Sequence, residues 1–250
     1  LEEADKKGAA GSKAEQIAGT YWVAAMDTAA VEAAGLKPLD AELAKIDAVK
    51  DIPGLIDLLA HMHRLNLTAL LNFGSTQDYN DSSQVIGGAA QGGLGLPDRD
   101  YYTNDDERTK TIRTQYLAYI ATMLGLLGAD AKAAKEGADK IMELETRLAK
   151  ASKSSEELSR DVSLYYNPVS PADADKLTPN FPWSKFFESQ GVATPEKFSL
   201  AMPAFHEEVS KAIADTAPAT WQAYLRFHTI DDASPYLSQA FVDENYNFYG

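Results

Sequence analysis

Apolar residues recur at helical spacing through most of this chain. Between Ser12 and Ala34 they fall at Ile17, Tyr21, Ala24, Ala25, Thr28 and Val31, which places them on one helix face, with Gly35 as the stop. A second helix is predicted from Asp40 to Val49, with Leu43 and Ile46 inward. A third is predicted from Pro53 to Leu65, where proline suits the first turn and Leu55, Ile56, Leu59 and Met62 form the stripe.

The period then changes. Segments 67–74 and 83–87 read as short strands around the polar turn 77–81, a hairpin that leads into a glycine-rich stretch. Helical spacing resumes after Asn104-Asp-Asp-Glu107, which has the order of a capping box starting at Asn104. Ile112, Tyr116, Leu117, Ile120, Met123, Leu124 and Leu127 form one stripe, ended by Gly128. Asp130 caps the next helix, whose stripe is Ala134, Ala138, Ile141, Leu144, Glu145 and Leu148. Two long helices joined this tightly should pack as an antiparallel hairpin.

From 152 to 199 prolines cut the chain into short pieces dense in Tyr165, Tyr166, Phe181, Trp183, Phe186 and Phe187, a composition expected of loops pinned to a core. Helices return over 202–215, over 218–230 with Trp221, Tyr224, Leu225 and His228 on one face, and after Ser234-Pro235. The fold class is mainly α: a single multi-helix lobe over residues 1–250, with one small β-hairpin before a Gly-rich turn.

Composition narrows the partners. The 250 residues carry a net charge of -14, which disfavours nucleic acid and anionic membrane surfaces. No apolar run reaches the roughly 18 residues of a membrane span. Cysteine is absent, so disulfides and thiolate chemistry are excluded. The polar opening at Leu1, without an initiator Met, and the aromatic close Asn245-Tyr-Asn-Phe-Tyr-Gly250 suggest a piece of a longer chain.

Candidate chemistry is sparse. A zinc protease helix needs two histidines four apart, with a glutamate between them. The histidines here are at 61, 63, 206 and 228, and no pair has that spacing. His206-Glu-Glu-Val-Ser210 puts serine where the second ligand belongs. Asp57 and His61, one turn apart, form at most a two-ligand arrangement, and His228 on its apolar face reads as a hydrogen-bonded interfacial histidine. No Gly-x-Ser-x-Gly elbow occurs, and Gly93-Leu-Gly95 lacks the third glycine of a dinucleotide loop. The carboxylate pairs at 105–106, 156–157, 207–208 and 231–232 read as solvated helix ends or faces. No catalytic, cofactor-binding or metal-ligating residue is assigned.

The stretch Gln91-Gly-Gly-Leu-Gly-Leu-Pro-Asp-Arg-Asp-Tyr-Tyr102 reads as a packed turn, with Arg99 able to fork onto a carboxylate or backbone carbonyls. It resembles a signature in the non-catalytic half of neprilysin-type zinc metallopeptidases. Further matches follow in order: Met26 to Leu39, Leu144 to Ser152, Arg160-Asp161, Tyr166-Asn-Pro168, Phe181-Pro-Trp183, Tyr224-Leu-Arg-Phe-His228, Tyr236-Leu237 and Phe248-Tyr-Gly250. The resemblance implies a two-lobed endopeptidase for short peptides, of bacterial, extracytoplasmic type. Zinc would sit on a His-Glu-x-x-His helix in a C-terminal catalytic lobe. Neither that motif nor the downstream glutamate ligand is present here, so no functional residue carries over. The expectation is a cavity-covering lobe, inactive alone; a stand-alone helical binding module is the alternative, and an exposed apolar patch would separate the two.

Overall fold

A computed structural model of the chain describes residues 1–67 and 69–250. Helices α1 (Glu2–Lys7) and α2 (Lys13–Met26) form an N-terminal hairpin that crosses at Gly19, where a Cβ would come within 2.8 Å of the Asp5 backbone. Ser12 caps α2: its hydroxyl accepts from the Glu15 N–H, and its own N–H donates to Glu15 Oε2 at 2.8 Å. The helix predicted over 12–34 is broken at Asp27, whose carboxylate accepts from Ala30 N at 3.0 Å and starts α3 (Thr28–Ala34). A local side-chain cap outcompetes one more backbone bond at that point. Helices α4 (Asp40–Asp47) and α5 (Ile52–Arg64) lie where the spacing predicts, with Asp51 capping α5 and Pro53 in its first turn.

The hairpin of β1 (Leu71–Gln77) and β2 (Val85–Gln91) is present but shifted toward the C-terminus. Leu70 takes φ 70°, a left-handed kink that delays the first strand, and the Thr68 portion of the predicted one lies outside the described residues. The predicted small hairpin is part of a larger sheet. Strands β3 (Pro168–Val169) and β4 (Phe198–Leu200) extend it to a four-stranded sheet in the order β1-β2-β4-β3, with β2 and β4 parallel. Two or three residues carry too little period to be read as a strand.

Helix α6 (Asp100–Thr103) precedes the long pair α7 (Glu107–Leu126) and α8 (Ala131–Ala151), which pack together as a hairpin. The α7 cap is Asp106, not Asn104: its carboxylate accepts from Thr109 N at 3.0 Å and Thr109 Oγ1 at 2.6 Å, while Asn104 closes α6. Short helices α9 (Ser155–Arg160), α10 (Pro171–Leu177) and α11 (Trp183–Ser189) fill the proline-cut region. Phe181, Trp183, Phe186 and Phe187 are fully buried, with Phe186 and Phe187 edge-on to Phe73 of β1. Helices α12 (Pro203–Asp215) and α13 (Pro218–Ala233) lie against α8, and α14 (Gln239–Tyr249) lies along α7. The α7–α8 pair is therefore the spine on which both the C-terminal helices and the glycine-rich stretch rest.

Two histidines, the buried His206 and the half-buried His63, make the fold acid-sensitive. Burial lowers His206, packed between Trp183 and Phe205, to about 4, and it lowers His63 to about 4 as well. A histidine depressed in the folded state binds its proton more readily when unfolded. Its stabilising contribution is thus complete above about pH 6.5 and is lost as pH falls towards 4. For His206, 1% exposed, the loss amounts to roughly 3 kcal/mol. Urea unfolding of His206→Leu between pH 7 and 4.5 should show a shallower decline in stability than the parent, and parallel declines would contradict this.

Candidate functional site

The glycine-rich stretch is a strap laid over the α7–α8 spine and tied down at almost every residue. Tyr224 of α13 donates its hydroxyl proton to Gly93 O at 2.8 Å and accepts from Leu70 N at 3.2 Å. Gly95 N lies 3.4 Å from Glu145 Oε2, and Leu96 N donates to the Tyr102 hydroxyl at 2.9 Å. Gly93 needs its glycine twice: φ is 75°, and a Cβ would come within 2.7 Å of the Leu70 Cα.

Beneath the strap lies Glu145, with no exposed surface. Tyr102 donates to its Oε2 at 2.6 Å and Tyr116 donates at 3.0 Å, while His228 Nε2 sits 2.8 Å from Oε1. Burial pulls the His228 pKa down, but the hydrogen bond and charge of Glu145, with Asp231 and Asp232 behind it, outweigh that and leave it raised. The pair is therefore an imidazolium–carboxylate pair on the acid side of that raised pKa. Burial and the Glu145 charge push both tyrosines well above the phenol range, so they remain hydroxyl donors. A carboxylate whose oxygens already accept from two hydroxyls and an imidazole is a structural anchor rather than a free base. A second group adjoins it, where Tyr119 and Tyr249 both donate to Asp231.

On its outer side the strap lines a cavity of about 410 Å³, together with Asn72, Ser152, Lys153, Tyr165 and Met202. The Gln91 side chain stitches its walls together, donating to Lys153 O at 2.8 Å and accepting from Lys153 N at 2.7 Å. Arg99 fulfils its expected backbone role with a single bond, Nη1 to Ser152 O at 2.9 Å, and its nearest carboxylate, Asp100, is 3.8 Å away. Asp98 accepts from Ser155 N at 2.7 Å and from Asp100 N at 2.8 Å. Burial opposes ionisation there, but those donors hold the Asp98 carboxyl below its usual range. The Ser152 hydroxyl donates to Leu148 O, so no base activates it. The walls can bind and shape; they carry no assembled nucleophile.

The histidines are dispersed. His61 meets Glu42 at 2.7 Å and Lys45 at 2.9 Å, whereas Asp57 faces Lys185 and Ser189 at 3.2 Å, so the pair singled out in the sequence does not converge. His228 is the hydrogen-bonded interfacial histidine its pattern predicts. Among the described residues no cluster of three or more His, Asp or Glu side chains has metal-binding geometry. Glu145 is the residue that sequence reading underused: a charge in an otherwise apolar α8 stripe was its only signal.

The chain is 31% identical to rat (Rattus norvegicus) endothelin-converting enzyme-like 1 over 69% of its own length and 23% of that protein. It is 28% identical to mouse (Mus musculus) endothelin-converting enzyme 1, covering 95% of this chain and 32% of the relative. The chain thus spans 23% to 34% of the length of the curated relatives it matches. Its fold superimposes on the open state of Mycobacterium tuberculosis zinc metalloprotease ZMP1 with a TM-score of 0.91 at 30% identity, over all of this chain and 38% of that one. PepO of Lactobacillus rhamnosis shares the fold at a TM-score of 0.78. The N-terminal family model described as Peptidase family M13 matches residues 1–250, and the chain belongs to that family.

Proposed function

We propose that this chain is one non-catalytic, mainly helical domain, the N-terminal portion of a bacterial, extracytoplasmic zinc metalloendopeptidase. In this reading it covers the substrate cavity and admits only short peptides. The supporting observation is the match along all 250 residues to the N-terminal model of a peptidase family, by a chain that superimposes on 38% of the solved ZMP1. The residues present do not fit a zinc ion. His61 is engaged by Glu42 and Lys45, His228 by Glu145, and His63 and His206 pack against aromatic rings. Zinc and the catalytic step belong to the C-terminal catalytic lobe of the same protein, the partner of this one.

The chain's own chemistry is that of a wall. The strap and the segment 152–155 are cross-linked by Gln91 and Arg99, which makes a rigid rim suited to excluding bulky substrates. An exposed apolar stripe on α2 disfavours a stand-alone binding module, which would bury such a surface.

Two preparations test this reading. The isolated chain should bind no zinc stoichiometrically by calorimetry and should cleave no peptide. The full-length protein should bind zinc and cleave short peptides while sparing folded proteins. Peptide cleavage by the isolated chain, or equal cleavage of short peptides and large proteins by the full-length one, would refute it.

A further inference from the structure

Helix α2 carries apolar residues at i, i+4, i+7 and i+8 (Ile17, Tyr21, Ala24 and Ala25), the spacing of a face made for burial. The protein turns that face outward, leaving Ile17 63% and Tyr21 61% exposed. The helix packs instead through Gly19 on α1, at the closest approach of the two backbones. The next helix, α3, ties this region to the body of the lobe, its Glu32 accepting from Gln239 N at the start of α14.

We propose that this stripe is an intramolecular docking surface, covered by an apolar surface of the C-terminal part of the same polypeptide; this rests on the reading of the chain as part of a longer M13 peptidase. Size identifies the occupant. A 14-residue helix is about 21 Å long, and one of its stripes falls far below the roughly 800 Å² per partner of a stable complex between separate molecules. A tethered partner needs no such area, because the linkage supplies the effective concentration. In ZMP1, 38% of the chain corresponds to this one, so a protein of that length contains ample further polypeptide to cover the stripe. The net charge of -14 opposes an anionic lipid surface as the occupant.

Hydroxyl-radical footprinting of Tyr21 in the isolated chain and in the full-length protein tests the assignment. Tyr21 should label in the isolated chain at every protein concentration, with or without lipid vesicles, and labelling should be lost in the full-length protein. The double variant Ile17→Asp, Tyr21→Asp should leave the unfolding temperature of the isolated chain unchanged and lower that of the full-length protein. Full labelling in the full-length protein overturns the proposal. So does protection of the isolated chain that rises with its own concentration, which would indicate a second copy, or protection that appears with phosphatidylcholine–phosphatidylglycerol vesicles. Peptide hydrolysis by the full-length protein is scored separately. A zinc peptidase with an exposed Tyr21 sinks only this inference, and a protected Tyr21 without hydrolysis sinks only the functional reading.

Discussion

Glu145→Ala should cost the fold about 3–5 kcal/mol, a large share of the roughly 5–15 kcal/mol that holds a typical domain together. Most of that cost comes from what remains after the carboxylate is gone. His228 would keep a buried imidazole without its counter-charge, and the Tyr102 and Tyr116 hydroxyls would lose their acceptor in a site without water access. Glu145→Gln keeps the shape but removes the charge, so it should fall between the parent and the alanine variant. Urea denaturation measures both, and combining Glu145→Ala with His228→Ala gives the coupling: the double variant should lose less than the sum of the singles. A Glu145→Ala loss below about 1 kcal/mol would show that the cluster is not an anchor. The pairing also has a pH signature. Because the His228 pKa is raised in the folded state, its contribution is complete below about pH 6.5 and is lost as pH rises through the raised value, opposite in sign to His206.

Gly95→Ala should be nearly as damaging, for reasons of space alone. A Cβ there would lie 1.9 Å from the Tyr116 hydroxyl and 2.7 Å from its Cζ, and Tyr116 is fully buried and bonded to Glu145. Either the strap lifts or the tyrosine leaves its acceptor; overpacking together with the lost hydrogen bond comes to about 3–5 kcal/mol. Tyr116→Phe in the same chain removes the nearest atom and should recover part of the loss. Gly125→Ala serves as the control. It lies in α7 with nothing within 4 Å of its Cβ, so alanine should stabilise by about 0.5–1 kcal/mol. If Gly95→Ala unfolds at the same denaturant concentration as the parent, the strap is looser than its contacts indicate.

What could be read in the sequence was what is written locally. The α7 and α8 stripes, the Asp130 cap, the proline in the first turn of α5 and the pinned aromatics of 181–187 each depend on residues within a few positions of one another. The errors have the opposite character. Strand β4 is recognisable only by its partners, the antiparallel β3 some thirty residues earlier and the parallel β2 more than a hundred residues earlier. The start of β1 depends on the backbone turn at Leu70, and the α7 cap passed to Asp106 because Thr109 can bond both of its carboxylate oxygens. His228 could be read as an interfacial histidine from its own helix face, but its partner could not, since Glu145 looked like one polar residue in an apolar row. The Gly-rich stretch announced a packed turn without revealing what it packs on.

Order of synthesis gives the Glu145 anchor a further consequence. Gly95, Tyr102 and Tyr116 leave the ribosome before Glu145, but His228 emerges 83 residues after Glu145 (228 − 145). At ordinary elongation rates that interval is roughly 4–17 seconds, during which the carboxylate lacks its counter-charge and the strap lacks the Tyr224 hydroxyl. The nascent lobe is thus open to proteases and chaperones until its thirteenth helix arrives. A nascent chain stalled shortly before Tyr224 should be cut within 91–102, whereas the released chain should resist cleavage there.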